Sequence, residues 1–192
     1  PVTEVSSERL TRNGMEFFVD PVVLAFPNGV RVSLNTNAIA DGQVAFEARS
    51  PGGLAVLDDA DVAAAAAAGA VVGESGVATY GPVELDEFLS DKDVGLQGAI
   101  DAFTEGMFGR AAATDLETLF QLIHLVMTRP RVDPVALEQH LDDELSIASD
   151  PSIDPGYAEF AALLDARYDD PRFLLPTVDS LNSVTADDIE RV

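Results

Sequence analysis

The chain has 192 residues, with 11 Lys and Arg against 34 Asp and Glu, a net charge of −23 and no cysteine. That balance leaves too few cations to replace phosphate counterions, which excludes nucleic acid and anionic membrane as partners, and the missing thiols exclude disulfides and thiolate metal sites. With 47% hydrophobic residues and a mean hydropathy of +0.13 the chain builds a core without staples, while no charge-free run approaches the ~20 apolar residues of a membrane span.

Residues 1–20 are polar and mixed and read as a lead-in or linker, with Met15-Glu-Phe-Phe-Val19 docking as a short strand. The sequence opens on proline and lacks the basic and apolar regions of a signal peptide; it reads as a piece or processed product of a longer protein, so cytoplasm and export stay equally open. Val22, Val23, Leu24 and Phe26 lead to Pro27-Asn28-Gly29, and Val30, Val32 and Leu34 then alternate with polar residues as far as Thr36. Asn-Gly between two such runs predicts a hairpin. Val44, Phe46 and Ala48 repeat the alternation in a third strand that stops at Pro51-Gly52-Gly53.

The run from Asp58 to Ser75 predicts a helix: three aspartates put negative charge at its N-terminus, alanine fills its body, and Gly76 stops it. So smooth-sided a helix lies close against a sheet, yet offers nothing that binds zinc or moves a proton. Asp58, Asp59 and Asp61 are helix-start charge, because the glycine and distal glutamate of a calcium loop are missing. Residues 80–89 form a short second helix with Pro82 in its first turn. Val94, Leu96, Gly98 and Ile100 alternate, as do Phe103, Glu105, Met107 and Gly109, giving a hairpin that turns near residues 100–103 in which Gly95 and Gly98 permit close backbone approach or a bulge.

The last third is helical. Thr114-Asp-Leu-Glu117 has the spacing of a capping box, leading into a helix apolar on most faces, with Leu119, Phe120, Ile123 and Val126 expected in the core and His124 as a packed or interface histidine. Pro130 ends it. Asp133-Pro134 opens the next helix, Tyr157 to Tyr168 forms another, and Thr185 starts a last one that reaches Val192 without a cap, an end expected to fall inside a larger domain. His140-Leu-Asp-Asp-Glu144 lacks a second histidine within a turn, and Ser50-Pro-Gly-Gly53 lacks the lysine of a phosphate loop, so neither is read as a ligand site. Strands, then helices, then a hairpin, then antiparallel helices is the order of an α+β two-layer sandwich, a mostly antiparallel sheet with helices on one face.

Four blocks carry a resemblance: Phe26-Pro-Asn-Gly-Val-Arg-Val32, Ser50-Pro-Gly-Gly-Leu54, Gly73-Glu-Ser-Gly-Val77 and, above all, Asp115-Leu-Glu-Thr-Leu-Phe-Gln-Leu-Ile-His-Leu-Val-Met-Thr-Arg-Pro-Arg-Val-Asp133. Over residues 20–192 they resemble the pitrilysin (insulinase) family of zinc metallopeptidases, whose domains occur as tandem copies with one H-x-x-E-H motif among them. In that motif two histidines four apart bind zinc and a glutamate activates its water. The matching helix here offers Ala63 to Ala68, Gly69 and Ala70, and Glu138 or Glu144 falls near the position of a further glutamate ligand, which without the histidines is a solvated helix-face carboxylate. The resemblance therefore implies a non-catalytic copy at residues 21–192, cut short at its C-terminus, with no catalytic or metal-binding residue of its own and zinc held in the catalytic domain of a longer parent. It implies sister peptidase domains of the same chain and a peptide substrate as partners, with Ser50, Pro51, Gly52 and Gly53 as the contact. An unpaired sheet edge left by the short C-terminus predicts a homodimer of the fragment. The alternative is a stand-alone inactive homologue that serves as a protein-interaction or assembly scaffold.

Overall fold

The computed structural model describes residues 3–4, 8–12, 15–20, 22–35 and 42–192. It divides into two compact units, residues 1–43 and 44–192. The first holds five short strands: β1 (Thr3–Glu4), β2 (Glu8–Arg12), β3 (Met15–Asp20), β4 (Val22–Ala25) and β5 (Arg31–Leu34). β4 pairs antiparallel with both β1 and β5, and β2 pairs antiparallel with β3, so the segment read as a lead-in contains three strands rather than one. Residues 1–2, 5–7 and 13–14 of that segment, residue 21 after it, and Thr36 at the expected end of the first hairpin lie outside the described residues. The Asn-Gly turn forms as expected: Gly29 takes a φ of 90° that its missing Cβ makes cheap, Phe26 and Val30 close the hairpin at 2.9 Å, and Asn28 Oδ1 accepts from the Val30 amide.

The second unit is an α+β two-layer arrangement, with a three-stranded sheet in which β8 (Thr104–Ala112) lies between β6 (Gln43–Pro51) and β7 (Val94–Ile100). β7 and β8 pair antiparallel from Val94↔Ala111 to Ile100↔Glu105. Because side chains alternate along a strand, Val94, Leu96, Gly98 and Ile100 share one face. Gln97 and its partner Phe108, with Arg110, share the other and are exposed.

Seven helices accompany the sheet: α1 (Val62–Glu74), α2 (Pro82–Leu89), α3 (Leu116–Thr128), α4 (Pro134–Ser149), α5 (Pro155–Arg167), α6 (Val178–Leu181) and α7 (Ala186–Arg191). The alanine helix α1 lies on β7, and the contact is backbone to backbone, since a Cβ added to Gly69 would overlap the Gly98 carbonyl. Seven of its thirteen residues are buried, the expected fate of a helix apolar nearly all round. Its Ala64, Ala67, Ala68 and Val71 form the core with Leu137 of α4 and Ile189 of α7, and Ile100, Leu141 and Val184 close its margin. Gly76, at a φ of 80°, ends the segment as the sequence predicts.

Two expectations about α3 need correction. Leu119 and Leu122 are its buried residues, whereas Phe120 is 54% exposed and His124 faces solvent, so neither belongs to the core. Phe120 instead meets the ring of Phe46 edge-on at 6.4 Å, at the margin of the sheet. Thr114 does not cap the helix either: a 3₁₀ turn over Ala113–Asp115 precedes α3, and Asp115 Oδ2 accepts from the Asp93 amide, tying the helix start to the entry of β7. The caps read at Asp133 and Thr185 do form, to Val135 and Asp188.

Ser75 is the one buried polar side chain among the described residues, and it joins two helices. Its hydroxyl donates to the Val71 carbonyl at 2.5 Å and accepts from the Asp133 amide at 2.8 Å, locking the end of α1 to the start of α4. Ser75→Ala would leave the half-buried Asp133 amide without its partner, so we expect a loss of about 1–2 kcal/mol. Chemical denaturation checks this; a midpoint unchanged from the parent chain would show that water replaces the hydroxyl.

Candidate functional site

The helix that resembles a metal-binding one is α1, and from Val62 to Gly73 it contains no titratable side chain. Among the described residues no group of three His, Cys, Asp or Glu stands close enough to hold a metal ion. The two histidines lie on different helices, His124 exposed on α3 and His140 half-buried on α4; Glu138 faces solvent and Glu144 is half-buried beside Tyr157. Burial, followed by the Glu144 carboxylate, raises the Tyr157 phenol above its ordinary value.

The structure splits the Ser50-to-Gly53 tetrad. Ser50 and Pro51 end β6 and are exposed, with the Ser50 hydroxyl 3.4 Å from the Pro51 carbonyl. Gly52 and Gly53 turn inward to fasten the tip of the β7–β8 hairpin. The Gly52 amide donates to the Phe103 carbonyl at 3.0 Å, and the next amides, of Leu54 and Ala55, donate to Asp101 and Ala102 at 2.9 Å. Gly53 is buried at a φ of 67°, and a Cβ there would overlap the Asp101 carbonyl. Those two glycines are committed to holding the fold, and only Ser50 and Pro51 present a surface that a partner can touch.

A second fastening comes from a segment that pattern reading passed over. Asp170 caps a 3₁₀ turn at Pro171–Phe173, and its carboxylate holds Arg172 at 2.7–3.2 Å. Those hydrogen bonds, first from the Arg172 side chain and then from its amide, keep the Asp170 carboxyl below its ordinary value. The other end of the guanidinium donates to the Ala55 carbonyl at 2.8 Å, and Phe173 stacks 5.1 Å from both Phe103 and Tyr168. Asp-Pro-Arg is the signal for such a capped turn, but the carbonyl that Arg172 reaches is 117 residues away in sequence. Arg191 plays the matching part at the start of α1, pairing with both Asp61 and Asp188. Two of the three aspartates read as helix-start charge thus meet arginines from the end of the chain, Asp61 directly and Asp59 at 4.0 Å from Arg172.

A cavity of about 180 Å³ lies beside this junction, lined by Asp59, Val62, Ala63, Arg172, Leu174 and Pro176. Its one cation is already spent on Asp170 and Ala55, and its two hydroxyls, of Thr177 and Ser180, are spent on each other in the cap of α6, so its chemistry is that of a packing defect at a seam between segments.

Comparison with solved structures places the fold among proteases. The periplasmic protease PqqL from Escherichia coli superposes with a TM-score of 0.74 and 20% sequence identity over 98% of this chain and 20% of that chain. A mutant of the ferredoxin protease FusC, solved in complex with Arabidopsis ferredoxin, gives 0.70 and 19% over 99% of this chain and 20% of that one. A protease from Helicobacter pylori gives 0.64 and 12% over 97% of this chain and 42% of that one. At these identities the likeness establishes the fold, and the chain spans about a fifth of the first two proteins. No protein-family model matches the chain, and no curated protein matches it in sequence.

Proposed function

We propose that this chain is a non-catalytic structural domain of a larger pitrilysin-type zinc peptidase, packing against sister domains and forming part of the wall of the chamber that admits a peptide. The observation that carries this reading is the coincidence of a protease fold with a ligand-free α1: the fold is shared with three proteases, while the helix that resembles their family's metal-binding one has alanine from position 63 to 68. Zinc and the water it activates then belong to another domain of the same polypeptide, and the part of this chain is to position that domain and line the route to it. Ser50 and Pro51, exposed at the end of β6, are the residues of the tetrad left to touch peptide.

The test uses the whole polypeptide in which this sequence occurs. We expect one equivalent of zinc per chain and cleavage of a fluorogenic peptide, and no loss of zinc when His124 and His140 are both replaced by alanine. A polypeptide that binds no zinc and cleaves nothing would overturn the peptidase reading in favour of an inactive scaffold. Zinc lost in the double histidine variant would overturn the non-catalytic assignment.

A further inference from the structure

The helical hairpin of α4 and α5 carries exposed charge and exposed apolar surface that packing among the described residues does not use. Between Pro134 and Arg167 there are eight carboxylates against a single arginine and no lysine. Glu138, Asp142, Asp143 and Glu159 are exposed, and none of them forms an ion pair among the described residues. Glu138 and Asp142 stand four apart on one helix, a like-charge pair that costs stability unless a cation meets it.

The apolar component is equally unspent. α5 is thirteen residues long and contributes no buried residue. An isolated helix of that length is marginal in water, because most helical stability in proteins comes from packing one face. Tyr157, Ala161 and Leu164 are half-buried and turn toward the domain, while Phe160 and Leu163, three apart on the neighbouring stripe, are 50% and 59% exposed; Ile153, in the connection between the helices, is 59% exposed. Burying both helix residues in a contact would remove two large apolar side chains from water, as the anchors of a helix-in-groove interface do.

We propose that the α4–α5 hairpin docks a cationic amphipathic polypeptide segment, whose apolar residues meet Phe160 and Leu163 and whose lysines and arginines meet the carboxylates of Glu138, Asp142 and Glu159. Charge complementarity selects this occupant. A second copy of the chain would bring the same acidic surface against itself across a two-fold axis, and an anionic lipid or nucleic acid is repelled by it. The inference requires no zinc and no activity of the parent.

The experiment titrates the purified chain with a leucine–lysine helical peptide of about 18 residues, followed by fluorescence anisotropy, beside a lysine–serine peptide of equal charge. We expect the leucine–lysine peptide to bind at least about tenfold tighter than the lysine–serine peptide, and to lose about tenfold or more in F160S/L163S and in E138Q/D142N/E159Q. The variant D86N/E87Q/D91N removes the same formal charge from α2 and its C-terminal turn, outside the hairpin, and should stay within about twofold of the parent chain. Circular dichroism on each variant separates lost docking from lost folding; a hairpin variant that unfolds is replaced by F160Q or D142N alone, for which the same direction is expected. Equal weakening by the hairpin and α2 charge variants, or equal affinity for the two peptides, would reduce the effect to bulk charge and overturn the proposal. So would a dimer in sedimentation that F160S/L163S disperses, since the occupant would then be a second copy.

Discussion

Replacing Gly69 by valine is expected to remove several kcal/mol of stability and to unfold the second unit at physiological temperature. Two effects oppose each other at this position. Any side chain improves on glycine in the middle of a helix, alanine by about 1 kcal/mol. The Cβ it brings would overlap the Gly98 carbonyl of β7, and the next nearest atoms, of Gly98 and Ala99, are also backbone, which cannot swing aside like the end of a side chain. The helix must therefore lift off the strand, and the core moves with it: Ala64, Ala67, Ala68 and Val71 are shifted against Leu137 and Ile189, and Ile100 of β7 is pulled from their margin. Overpacking typically costs about 1–3 kcal/mol even where side chains can relax, so Gly69→Ala should be destabilising despite its better propensity, and Gly69→Val more so. Urea denaturation followed by circular dichroism measures both; a Gly69→Ala variant more stable than the parent would show that α1 stands further from β7 than described.

A second large effect separates two adjacent residues of α3. Leu119 is fully buried, and Leu119→Ala should cost about 3–4 kcal/mol from lost transfer energy and the cavity left behind. Phe120 is the larger side chain and the one that sequence reasoning placed in the core, yet with half its surface in water and a single edge-on ring contact to Phe46, Phe120→Ala should cost only about 1 kcal/mol. The two midpoints in one denaturant series decide the orientation of the helix. Equal losses, or the larger loss at Phe120, would rotate α3 by about a third of a turn from its present setting.

The local elements were legible in the sequence because each is dictated by short-range chemistry. Asn28-Gly29 turns, Pro82 starts a helix, Asp133 and Thr185 cap, Gly76 stops, and period-two alternation marks β6, β7 and β8; these depend on residues within one turn of each other. The near-absence of side chains on α1 also announced its close approach to a sheet. On α3 the number of apolar residues hid a signal that was present: Glu117, Gln121 and His124 stand three before, one after and four after Phe120 and mark its side as polar, so Leu119 and Leu122 are the residues the helix buries. What the sequence could not supply is long-range contact, and that divided Ser50-Pro-Gly-Gly53. Four small, flexible residues look alike as a surface loop, but the carbonyls of Phe103, Asp101 and Ala102, some fifty residues on, accept from the amides of Gly52, Leu54 and Ala55 and leave only the first two residues free. Arg172 and Arg191 are the clearest case of all: nothing near them in sequence names Ala55 or Asp61 as their partners, and only the return of the chain's end to the start of α1 does.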